Sequence, residues 1–169
     1  LHGGTFFYGT STVTITAFIT GGALKLTASL AAGDYIGFGL AFDICGDASA
    51  FAGVSTLIGG TLSSAALKWQ VDTSNDAPIE TATGRGECAY TSEATKWSDC
   101  VYNGLTIVSG VALRSVSTAS YTWSQYTGGK PVTTVDKNEI IGMRWQIECP
   151  SGGSSCVIDI TLDDIKFHT

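Results

Sequence analysis

The chain has 169 residues, a net charge of −6 and only 14% charged side chains. That length suits a single domain spanning residues 1–169, with room for a sizeable apolar core. The acidic balance argues against nucleic acid and against an anionic membrane as partners, and no apolar run approaches the length of a membrane span. Glycine is abundant at 21 residues, and no stretch keeps a helical period. Such a composition favours an all-β chain.

Taken in order, Gly4 to Ile19 reads as an aromatic opening strand carrying Phe6-Phe7-Tyr8, followed by a strand in which Val13, Ile15 and Ala17 alternate with Thr. Ala23 to Ala28 is a short strand with Leu24 and Leu26 on one face. Tyr35 to Phe42 is apolar on both faces and carries Gly37 and Gly39, the mark of a central strand or of a place where another backbone comes close. Gly53 to Ile58 is a further strand. Leu67 to Thr73 alternates cleanly, with Leu67, Trp69 and Val71 facing in and Lys68, Gln70 and Asp72 facing out. Thr73 to Gly86 is a polar loop. Val101–Ser109 and Val111–Val116 are two more candidate strands, Tyr121–Pro131 is an aromatic loop, and Asp136–Glu139 is a turn.

The stretch Glu139–Phe167 organises the whole. Ile141, Met143, Trp145 and Ile147 alternate with Gly142, Arg144, Gln146 and Glu148; after Pro150-Ser-Gly-Gly-Ser-Ser, Ile158, Ile160 and Leu162 alternate with Asp159, Thr161 and Asp163. Two half-buried strands around a Gly-rich turn read as an antiparallel hairpin. Nine or ten short strands at regular spacing predict a two-sheet antiparallel β-sandwich with jelly-roll wiring. A helical turn near Ser63–Ala66 would not alter that reading.

Five cysteines are present. Cys88 with Cys100 and Cys149 with Cys156 each bracket a short loop, which predicts two local disulfides and a secreted, oxidised protein. Cys45 is left over and is expected as a buried free thiol. The opening at Leu1, with no leader, reads as a mature chain or as a module of a longer one.

Nucleophilic catalysis needs a base beside the nucleophile, and the chain's two histidines, His2 and His168, are both terminal. Glycoside hydrolysis needs two carboxylates across a cleft. Asp43, Asp72, Glu148 and Asp159 supply candidates without any spacing that selects a pair. More distinctive is a repeated pattern of basic, Trp, Gln, aliphatic and acidic residues: Lys68-Trp69-Gln70-Val71-Asp72 and Arg144-Trp145-Gln146-Ile147-Glu148. If both strands share a sheet, Lys68, Gln70, Asp72, Arg144, Gln146 and Glu148 project together, as a surface of donors and acceptors suited to sugar hydroxyls or as a merely wet sheet face. The same alternation sends Trp69 and Trp145 into the core. The loop aromatics Tyr90, Trp97, Tyr102, Tyr121, Trp123 and Tyr126 either stack on a ligand or fold back over the sandwich edge, Trp123 leaning to the latter. Asp163-Asp164 is a candidate site for a structural calcium ion completed by backbone carbonyls.

Ile140-Ile141-Gly142-Met143-Arg144-Trp145-Gln146 and Ile158 to Phe167 resemble the ending of galactose-binding-like β-sandwich carbohydrate-binding modules, including modules similar to family 11. Phe42 to Val54, Gly86-Glu87-Cys88 and the opening Gly3 to Tyr8 resemble such modules as well. The resemblance implies a secreted domain that binds glucan, xylan or mannan on one sheet face without cutting it, attached to a covalently linked catalytic domain. Asp164 matches the recurrent Asp-Asp-Ile/Val ending of these modules; the acidic Asp-Phe-Glu segment that precedes their first strand and helps hold calcium is absent here.

The resulting expectation is a polysaccharide-binding face built from Lys68, Gln70, Asp72, Arg144, Gln146 and Glu148, rimmed by Trp97 and Tyr126, with the glycan lying across the strands. Arg144 and Gln146 are expected as free donors whose loss leaves the fold intact. The rival expectations are a small jelly-roll glycanase or polysaccharide lyase using Asp72 and Glu148, and an adhesion domain that binds protein.

Overall fold

The computed structural model describes residues 3–10, 13–109 and 117–169. Ten strands alternate along it: β1 (Gly3–Gly9), β2 (Ile15–Thr20), β3 (Ala23–Leu30), β4 (Tyr35–Gly46), β5 (Gly53–Thr61), β6 (Ala66–Thr73), β7 (Asn103–Ser109), β8 (Ser117–Thr122), β9 (Ile140–Glu148) and β10 (Cys156–His168). A single-turn helix α1 (Lys96–Asp99) and a 3-10 turn at Trp123–Gln125 interrupt them. The first sheet has the order β1-β4-β9-β6-β7 and the second β2-β3-β10-β5-β8. Every strand pair is antiparallel, and the chain passes repeatedly from one sheet to the other, as jelly-roll wiring requires. The candidate strand Val111–Val116 lies outside the described residues.

The core forms where the inward faces meet. Leu24, Leu26, Ile158, Ile160 and Leu162 come from the second sheet; Ile36, Phe38, Leu67, Trp69, Met143, Trp145 and Ile147 come from the first. Trp69 and Trp145 are register partners on β6 and β9 with ring centroids 5.0 Å apart, so both tryptophans are core, as the alternation predicts. Trp123 is buried too and donates its indole N–H to the Phe51 carbonyl at 2.8 Å.

Three expectations need correction. The segment around Pro150 is an arch rather than a hairpin turn: β9 belongs to the first sheet and β10 to the second, and the Cys149–Cys156 disulfide closes the crossing. A disulfide across a short gap fits either geometry, because both bring the two Cα atoms within bridging range, here 5.8 Å. Cys45 is exposed rather than buried. β4 shifts register against β9 between Ala41 and Gly46, and Ile44 and Cys45 fall in that unpaired stretch with their side chains in solvent. Finally, Ser63–Ala66 is a tight turn held by the Ala65 N–H on the Leu62 carbonyl, with Ser63 at φ 52°. The predicted Cys88–Cys100 bridge is present.

Candidate functional site

The outer face of the first sheet is set by register. Tyr8, Gly37, Gln146 and Lys68 form one row across β1, β4, β9 and β6; Phe6, Gly39, Arg144 and Gln70 form the next. Gly37 and Gly39 explain the Gly-Phe-Gly sequence of β4. A Cβ at Gly37 would overlap the ring of Tyr8, and one at Gly39 the ring of Phe6. Without those side chains the two rings of β1 lie over the β4 backbone and reach towards β9. Their centroids stand 5.9 Å apart in a stacked arrangement, and Tyr35 follows 6.4 Å from Tyr8.

Arg144 sits where this aromatic row meets the opposite wall. Its guanidinium lies 5.3 Å from the Phe6 centroid, 5.6 Å from Tyr8 and 4.0 Å from Tyr102, which arrives just before β7. It pairs with Asp72 through a fork: Nε donates to Oδ1 at 2.9 Å and to Oδ2 at 3.0 Å, and Nη2 also donates to Oδ2. The side chains are 15% and 7% exposed. Gly142 leaves room for the carboxylate, since a Cβ there would stand 3.2 Å from Asp72 Oδ2. Burial pushes the Asp72 carboxyl above the usual carboxylate range against the pull of Arg144. Burial alone would lower the guanidinium; the Asp72 carboxylate more than offsets that and holds Arg144 protonated. Burial also drives the Tyr8 and Tyr102 hydroxyls well above the ordinary phenol range, so both remain neutral donors.

From Arg144 a polar track runs down the sheet. The Tyr8 hydroxyl donates to Gln146 Oε1 at 3.2 Å, Gln146 Nε2 donates to Glu148 Oε1 at 2.6 Å, and Lys68 Nζ stands 2.7 Å from Glu148 Oε2. Loops supply the far wall. Asp76 is fully buried and accepts from Asn103 Nδ2 at 2.6 Å and from the Val132 N–H at 3.2 Å. Asn103 in turn accepts from the Gly129 N–H at 3.0 Å. This knot places Ala77, Pro78, Glu80 and Arg85 beside the groove, and Arg85 Nη2 donates to the Ile141 carbonyl at 2.9 Å. The Cys88–Cys100 loop carries α1 and with it Trp97, 61% exposed and 6.2 Å from the Tyr102 ring. Phe6, Tyr8, Tyr35, Arg144 and Gln146 from the sheet, with Pro78, Glu80, Arg85, Trp97 and Tyr102 from the loops, enclose a groove of about 720 Å³. A smaller hollow of about 360 Å³ lies past Tyr35, between Gly33–Asp34 and Glu148–Ser151.

The predicted residues Lys68, Gln70, Asp72, Arg144, Gln146 and Glu148 do share one face, and Trp97 stands at the rim. Tyr126 does not. It is 1% exposed, edge-on to Trp69 at 6.0 Å, and belongs to the core because the 3-10 turn at Trp123 folds the aromatic loop inward. Arg144 is a buried, caged half of an ion pair, not a free donor. Asp72 and Glu148 cannot act as paired glycosidase carboxylates: they are six strand positions apart in register, about 20 Å by strand rise. Retaining and inverting pairs stand roughly 5–9.5 Å apart. Asp164 lies on β10, in the other sheet, at φ 49°, and its carboxylate is 2.6 Å from Lys166 Nζ. Among the described residues no three His, Cys, Asp or Glu side chains cluster as metal ligands. Asp163 Oδ1 accepts the Asp164 N–H at 2.7 Å, so both carboxylates of the pair have partners within the chain.

Residue-level reading passed over Phe6, Tyr8, Tyr35, Glu80 and Arg85 as site residues, and kept Tyr102 only among the loop aromatics that either stack on a ligand or fold back. The available signal was the pair of alternating aromatics in β1 together with the two glycines of β4.

No family model and no curated protein matches this sequence. Solved structures do match its fold. The family 11 carbohydrate-binding module from Clostridium thermocellum, in complex with a β-1,3-1,4-mixed-linked tetrasaccharide, superposes with a TM-score of 0.65 over 97% of this chain and 88% of that one, at 15% identity. The family 11 module of the cellulosomal cellulase Lic26A-Cel5E of the same organism gives 0.65, 97%, 86% and 14%. The agarase AgWH50C matches at a TM-score of 0.56 and 10% identity, with 96% of this chain covering 22% of the enzyme. The β-sandwich described here is therefore the fold shared by family 11 carbohydrate-binding modules.

Proposed function

We propose that this chain binds a plant cell-wall polysaccharide, a β-glucan, xylan or mannan, in the groove on the first sheet and does not cleave it. The observation that carries the reading is the coexistence, on one sheet face, of an aromatic row and a hydrogen-bonded polar track. Sugar rings present apolar faces and a rim of hydroxyls. Phe6, Tyr8 and Tyr35 meet the first, while Gln70 and Gln146 meet the second, with Glu148 and Lys68 continuing the polar track beyond the groove. Arg144 and Asp72 hold the two walls in place between them. The family 11 structures support the reading, since one of them carries a bound mixed-linkage tetrasaccharide on the same fold.

The domain comprises residues 1–169, is secreted, and works linked to a catalytic domain. Two disulfides fit an oxidising compartment. The fold recurs in a cellulosomal cellulase and as a fraction of an agarase, which fits attachment to an enzyme. Affinity electrophoresis against mixed-linkage glucan, xyloglucan, xylan, mannan and pectin tests binding, and product analysis on the same panel tests cleavage. Retarded migration without new reducing ends is the expected result. Sustained release of sugar, or no retardation in any gel, contradicts it.

A further inference from the structure

The groove and the smaller hollow are neighbours. Tyr35 lines both, and the hydrogen-bonded track from Tyr8 through Gln146 to Glu148 leads from one to the other. Gln146 lines the groove and Glu148 lines the hollow, two positions further along the same strand and face. The end of this track towards the hollow is open: Tyr35 is exposed, and Lys68 and Glu148 keep over a third of their side chains in solvent. The far end of the hollow is firm, because the Cys149–Cys156 bridge holds the arch and the Cys149 N–H donates to the Asp34 carbonyl at 2.9 Å.

We infer that the hollow is a second subsite for the same glycan, so that the bound chain runs along β9 from Arg144 over Tyr35 to Ser151 instead of crossing the strands. This rests on the glycan-binding reading above. From Ile141 to Pro150 the strand and its continuation span about 30 Å, set by a rise of roughly 3.3 Å per residue. A glycan crossing the sheet at the Arg144 and Gln146 rows would never meet the hollow. One lying along the strand meets a polar side chain at every second residue and then Asp34, whose backbone is pinned beneath it. Ligands long enough to reach Ser151 are held at both ends, whereas short ones occupy the groove alone. Ser151 is exposed in the Pro150–Gly153 turn, so a bulky replacement there fills the hollow without entering the core.

The test is calorimetry with tetrasaccharides and hexasaccharides cut from mixed-linkage β-glucan and from xylan, on the wild type and on Ser151→Trp. The wild type is expected to bind the hexasaccharide of its preferred glycan at least tenfold more tightly than the tetrasaccharide. Ser151→Trp should abolish that gain and leave the tetrasaccharide within twofold of wild type. Equal affinity of the wild type for the two lengths overturns the subsite, and this comparison stands even if the variant fails to fold. A variant that keeps the full length dependence, or weakens both lengths alike, also overturns it. Absence of binding by every oligosaccharide instead removes the glycan reading on which the subsite rests.

Discussion

The two sheets use the same period-two alternation and present different outer faces. On the second sheet one outward row reads Thr16, Thr27, Asp159, Thr61 and the next Phe18, Lys25, Thr161, Gly59. Its charges meet in a solvated pair, Lys25 with Asp159, and its aromatic Phe18 stands opposite a lysine. On the first sheet the corresponding rows put Tyr8 and Phe6 against glycines; Lys68 and Glu148 form a half-exposed pair there too, but Asp72 and Arg144 lie almost out of water. Polar alternation therefore does not distinguish a binding face from a wet one. What sets the first sheet's face apart is a pair of rings laid over bare backbone beside a desolvated ion pair.

The comparison breaks most completely if the shared core is removed. Trp145→Ala should cost about 3–5 kcal/mol and abolish both faces together, seen as a collapse of the melting temperature. Arg144→Ala should come next and separates the faces. It leaves Asp72 buried without its partner, a loss of roughly 3–5 kcal/mol. Lys25→Ala, cutting the exposed pair on the other sheet, should cost at most about 1 kcal/mol. Denaturant melts of the two variants check this. Replacing Arg144 and Asp72 together by apolar residues should recover stability and still bind poorly.

A smaller effect sharpens the role of the glycine floor. Gly39→Ala forces the Phe6 ring off β4, with an overpacking cost of about 1–3 kcal/mol and weakened glycan binding. Gly4→Ala, which has open space around its Cβ, should change neither the melting curve nor the binding isotherm.

Much of this was legible in the residues. The repeated basic-Trp-Gln-aliphatic-acidic pattern places Trp69 and Trp145 in one core, and the strands carrying them are indeed neighbours, with Gln70 opposite Arg144. What the pattern does not contain is register across other strands. Asp72 reaches Arg144 diagonally, one row away, so the capture of Arg144 depends on a pairing that local alternation leaves open. Phe6 and Tyr8 come to lie side by side over the β4 glycines only once β1 pairs with β4. Tyr126 has no periodic neighbours to say which way it faces, and a disulfide-closed turn after Glu148 suits a hairpin as well as an arch.

The smallest expected effect is on pH. Burial pushes Asp76 up to about 6, against hydrogen bonds from the Val132 N–H and the Asn103 side chain. In the unfolded chain its value returns to about 3.9, so the folded state holds more protons between the two. The stability this group contributes is complete below about pH 4 and is lost as pH rises through about 6. Melting temperatures of Asp76→Asn between these limits should therefore fall less steeply with rising pH than those of the wild type.

The first sheet's outer face, and not the second's, is the proposed glycan site. Gln146 tests it most directly, because it is accessible, sits in the middle of the polar track and bears no buried charge. Calorimetry of Gln146→Ala with the polysaccharide that retards the wild type should show at least a tenfold loss of affinity, the worth of roughly one polar contact of 1–3 kcal/mol, at an almost unchanged melting temperature. Thr161→Ala on the opposite face should bind as the wild type does. Normal binding by Gln146→Ala together with a loss in Thr161→Ala would contradict the account.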